Sequence, residues 1–247
     1  MGGRAAADWP DAQAVMIHAA HALLEAGTLA PGDLLRRLLT DWAQGAGRPR
    51  LLRVLDPERP RHTGHGFVAG LAVVGILRRA DRRTAQQEAM HLAALMNATP
   101  EESEALELAS IFVRRALLSG DAAHALEAMD WEGDDRVAAV AAGRSLPTDE
   151  PRDVVSALDQ ARTLALNADG LAVGFDALVR VGATPAAFIL TGMMVGAAKG
   201  AADLGLVPPA SDRHSTTTAR LEAIGGQLLA RVHDARASTY ALPRRRR

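Results

Sequence analysis

The chain contains no cysteine. Disulfides, thiolate metal sites and cysteine nucleophiles are therefore excluded, and the composition fits a reducing, cytoplasmic location. Aromatic residues make up 3% of the sequence, with four Phe, three Trp and one Tyr among 247 residues. Alternating runs of β-branched and aromatic residues are correspondingly scarce, which removes the usual pattern of a half-buried strand. Lysine is nearly absent: Lys199 stands alone, and the other basic residues are Arg. With a net charge of -1, no global field favours nucleic acid. The opening MGGRAAADWPD lacks the apolar core of a signal peptide. The long apolar run from Val181 to Ala198 approaches the lower limit for a membrane span. Ala, Gly, Thr and Pro dilute it and Arg180 and Lys199 close it, so it reads as a buried helix with no membrane role.

What is present is helix-forming material: Ala, Leu and Arg dominate. The apolar spacing predicts helices over Asp11–Ala26, with Gly27 as stop, and over Pro31–Trp42. Gly45–Arg61 reads as a loop. Further helices are expected at Gly66–Arg79, Thr84–Met96 and from Pro100 to Leu118. The last starts with Thr99 as N-cap, Pro100 in the first position and Glu101 and Glu102 in the first turn. Segments Asp121–Met129, Arg136–Ala142, Pro151–Gly170 and Phe175–Val181 follow, then the apolar helix, then Thr217–Ala237. The expectation is a single all-α globular domain over residues 1–237, an orthogonal multi-helix bundle, with 238–247 a disordered basic tail. Within the apolar helix, Gly192, Gly196 and Gly200 recur every fourth residue, a stripe that would let another backbone approach closely.

Several clusters could carry chemistry. His18 and His21 share a helix face, and His62 and His65 follow in a loop; two such pairs suit an N-preferring metal such as zinc, or packing. Asp134 and Asp135 could be ligands, but they precede a helix and read as its cap. The polar run Asp212–Thr218 could meet a phosphate or cap the closing helix. The loop RPRLLRVLDPERPR could contact a pyrophosphate or remain solvated.

Three segments resemble the ADP-ribosylglycohydrolase family. In DAQAVMIHAAHALLEAGTLAPGDLLRRLL, Leu23-Leu24-Glu25 and the following helix match, while a T-D-D-T type motif is reduced to Pro10-Asp11-Ala12-Gln13, with Asp8 nearby. In HTGHGFVAGLAVVGIL, Gly64-His65-Gly66 stands on a G-N-G turn with His65 in place of Asn. The third is VGATPA before the Gly-striped helix, standing on G-G-D-T-D-T: Ala183 and Pro185 occupy both aspartate positions. The family segment that precedes the T-D-D-T motif has no counterpart here.

The resemblance implies an all-α fold and, in ordinary members, two Mg²⁺ ions that activate a water to cleave ADP-ribosyl bonds. Asp11 is the one plausible family ligand left, so no metal or other cofactor is expected, with Mg²⁺ the candidate if the site is partly retained. Gly64, Gly66, Gly182 and Thr184 stand on ligand-binding positions. The first expectation is a non-catalytic binding or regulatory protein that takes an ADP-ribose-like nucleotide or a protein partner. The first alternative is a hydrolase in which Asp8, Asp11 and His65, with His62, serve as acid and base on a glycosidic bond. The second is a structural scaffold with an oligomer face, as the crystallin relatives of the family suggest.

Overall fold

A computed structural model of the chain describes residues 9–44, 67–78, 81–147, 153–167 and 171–203, together with Ala223, Gln227 and Ala230. The chain divides into two compact units, Met1–Leu206 and Val207–Arg247. In the second, the three described residues are helical and exposed, at the spacing of one helix face. They fall within the closing helix expected over Thr217–Ala237.

The first unit is all-α, and among the described residues no strand occurs. Its helices are α1 (Trp9–Ala26), α2 (Pro31–Gln44), α3 (Gly70–Leu77), α4 (Arg82–Met96), α5 (Pro100–Ser119), α6 (Ala122–Ala125), α7 (Asp135–Ala141), α8 (Val154–Asn167), α9 (Leu171–Arg180) and α10 (Pro185–Asp203). No helix among the described residues is long and apolar enough to cross a membrane.

Local chemistry sets most boundaries. Gly27 ends α1 at φ 73°, a conformation that costs glycine little. Asp81 caps α4 by accepting from the Thr84 N–H. At α5, the Thr99 hydroxyl accepts from the Glu102 N–H at 3.2 Å and the Glu102 carboxylate accepts from the Thr99 N–H at 3.0 Å. That reciprocal pair satisfies two donors the helix itself cannot. Asp134 caps α7 through the Arg136 and Val137 N–H groups, so the cap reading of that acid holds.

Helix α5 is the hub, packing on α3, α4, α6, α7, α8 and α10. Leu106, Leu108, Ile111, Phe112 and Val113 are all buried, so it is apolar around most of its circumference, as a central helix must be. Helix α10 lies against α8 and α5. The chain between α6 and α7 departs from expectation: helix stops at Ala125 instead of reaching Met129. Tertiary partners take its backbone. Arg162 donates to the Leu126 carbonyl at 2.7 Å, Arg115 to that of Glu127, and the Met129 N–H reaches the Ala141 carbonyl. Glu104 then accepts from the Trp131 indole N–H and from the Asp134 N–H at 2.8 Å.

Candidate functional site

The turn into α10 is built by the end of α9. The Ala183 N–H reaches back to the Leu178 carbonyl at 2.9 Å and the Gly182 N–H to that of Val179 at 3.1 Å. With Gly182 at φ 62°, this is the glycine-terminated helix end in which the last carbonyls are taken up by the following turn. Pro185 then opens α10, where its missing N–H is no loss. Between them stands Thr184. Its carbonyl accepts from the Ala187 N–H at 3.0 Å, but its hydroxyl oxygen is buried and bonded to nothing. The turn therefore presents one hydroxyl, the Ala183 methyl and the Pro185 ring, and no anionic oxygen of its own.

Of the candidate catalytic and ligand-binding residues that the resemblance singles out, Gly182 and Thr184 are the two that fall among the fully described residues. Asp11 lies in the first turn of α1, with its side chain outside the description, and Asp8, His62, Gly64, His65 and Gly66 lie outside the described residues. His18 and His21 are half-buried on α1, and both have interaction partners. Among the described residues no three His, Asp or Glu side chains come together as a metal site.

At Gly192 the stripe does not serve the close packing its spacing suggests. A Cβ built on Gly192 would meet only the Phe175 ring edge, at 3.6 Å, an ordinary contact. Among the described residues no backbone crosses there. The close approaches fall instead on α3, where a Cβ on Gly75 would stand 2.8 Å from a Val113 methyl and one on Gly70 the same distance from a Leu92 methyl. On α10 the stripe forms the floor of a cavity of about 370 Å³. Ile189, Gly192, Met193 and Gly196 line it from α10; Met16 from α1, Ile76 from α3 and Leu117 from α5 face them. Among the described residues the lining side chains are aliphatic or aromatic apart from the two thioethers, and these offer no ionisable group and no strong hydrogen-bonding side chain. The α10 glycine spacing was the legible trace of this cavity; its other walls come from three separate helices and left no joint pattern in the sequence.

The other buried polar groups hold the scaffold. Glu88, 1% exposed, pairs with Arg78 at 2.8 Å, and Arg78 also donates to the Gly27 carbonyl at the end of α1. His91 Nδ1 lies 2.6 Å from the Leu29 carbonyl and so carries its proton there. These two contacts pin the α1–α2 turn onto α4. Arg136 pairs with Asp153 at 2.8 Å, bracing α7 against the start of α8. Burial raises the Asp153 carboxyl, but the Arg136 hydrogen bonds and charge and the Ser156 N–H outweigh it and hold it below its ordinary value. Arg162 is almost buried, and burial lowers its pKa against the opposing pull of Asp159. It passes beneath Gly143, whose missing side chain leaves the space its guanidinium fills.

No protein-family model matches the chain, and no curated protein resembles it closely enough to count as a relative.

Proposed function

We propose that the chain is a non-catalytic binding or regulatory protein on an ADP-ribosylglycohydrolase-like scaffold. The observation that carries this reading is the turn into α10: Gly182-Ala183-Thr184-Pro185 sets carbon where the resemblance calls for two aspartates. Mg²⁺ takes hard oxygen ligands in near-ideal octahedra, one or two of them carboxylates. A pair of adjacent dications needs several anionic oxygens to offset its own repulsion. A methyl group and a pyrrolidine ring supply none. Without the ions, no metal-lowered water pKa provides a nucleophile at neutral pH. The Thr184 hydroxyl, buried and without a hydrogen-bond partner, is a polar group left over for a ligand at this turn, which fits binding in place of turnover.

The test is release of ADP-ribose from ADP-ribosylated arginine or serine, with and without Mg²⁺. The expected result is no Mg²⁺-dependent turnover. Turnover that requires Mg²⁺ and disappears in Asp11→Ala would overturn the reading and restore the hydrolase alternative.

A further inference from the structure

The cavity walled by α1, α3, α5 and α10 is not used by the proposed function, and its chemistry differs from that of a nucleotide site. We propose that it binds a small, uncharged, hydrocarbon-rich molecule. The assignment rests on the cavity alone and stands whether or not the family resemblance does.

Three observations define the ligand. First, the cavity is a partly open pocket: four helices contribute walls, and none of the described lining residues is exposed. Its volume of about 370 Å³ lies within the range of small-molecule sites. Scaled from the ~150 Å³ apolar cavity that takes up benzene, it has room for up to about fifteen carbon atoms. Second, its described lining carries no charged side chain and almost no polar surface. Backbone groups of the surrounding helices are used within those helices, and the lining side chains offer only hydrocarbon and the thioethers of Met16 and Met193. A phosphate or carboxylate inside would lose its hydration and gain no partner. Water against this lining would find few of the polar partners that hold an ordered water. A neutral apolar molecule is the complement of such a lining. Third, the floor is open by composition. At Gly192 no described backbone requires glycine: among the described residues an added Cβ would meet only Phe175, at 3.6 Å. Glycine there also lowers helix propensity, so its effect in the fold is to leave room above α10.

The experiment uses the full chain and the uncharged fluorescent probe N-phenyl-1-naphthylamine, displaced by n-alkanols from butanol to octanol. Saturable binding at one site per chain is expected. Alkanol affinity should rise about three- to fourfold per added methylene, the increment for burying a CH₂ in an apolar site. Gly192→Leu places its side chain in the cavity and should weaken octanol at least tenfold without lowering the melting temperature. Gly192→Ala, the smaller change, should give an intermediate loss and guards against a leucine variant that does not fold. Absence of saturable probe binding would overturn the proposal, as would undiminished octanol affinity in a folded Gly192→Leu chain. So would displacement of the probe by ADP-ribose, which would make the pocket part of a polar site.

Discussion

Asp153 shows how a single side chain can tie stability to pH. Its carboxyl is held below the ordinary value in the folded chain, the Arg136 and Ser156 contacts overcoming the effect of burial. A depressed carboxyl contributes stability above its unfolded pKa, near ~3.9, and loses that contribution as pH falls through the lower folded value. Asp153→Asn should therefore destabilise the protein at neutral pH by about 1–2 kcal/mol, the scale of hydrogen bonds to a charged group with part of its surface wet. In urea titrations, the gap between wild type and variant should be flat from neutral to mildly acid pH and close below about pH 4. A gap that stays constant to pH 2 would contradict the pairing. The difference between the two proteins is the right readout, because Asp159 and Glu107 run the other way. Burial raises both, so each favours the folded chain as it becomes protonated and would blur a raw acid curve.

At the scale of elements, glycine carries two opposite meanings here. Gly75 faces Val113 across the α3–α5 crossing, and an added methyl would sit 2.8 Å from a stiff β-branched side chain. Gly75→Ala should destabilise by about 1–2 kcal/mol, overpacking exceeding the gain in helix propensity. Gly192→Ala meets only ordinary contact and should stabilise by about 0.5–1 kcal/mol. Paired thermal or urea melts check both; equal effects of the same sign would remove the distinction between a packing glycine and a cavity glycine. The contrast also marks what the sequence could express. The Thr99 cap with its acids, the Asp134 cap, the Gly27 stop and the α10 start are local signals, and the helices follow them. The end of α6 was not legible, because Arg162, Arg115 and Glu104, distant in sequence, take the backbone of the following segment. The cavity was half legible. A four-residue glycine spacing states that one helix face is bare, but what stands opposite is decided by α1, α3 and α5.

For the whole molecule, the two proposals rest on two features of one helix. The entrance to α10 is a turn with a buried, unpartnered hydroxyl and no carboxylate of its own; the face of α10 beyond it is a hydrocarbon-lined cavity. Both proposals are of binding, and neither depends on the other. The resemblance invoked for the entrance rests on motif spacing at three places in the chain, so the decisive property is physical: whether two magnesium ions are held. Calorimetric titration of the full chain with Mg²⁺, alone and in the presence of ADP-ribose, measures it directly. The account predicts no saturable Mg²⁺ heat in either titration. Saturable uptake of two Mg²⁺ per chain by the unmutated protein would contradict it.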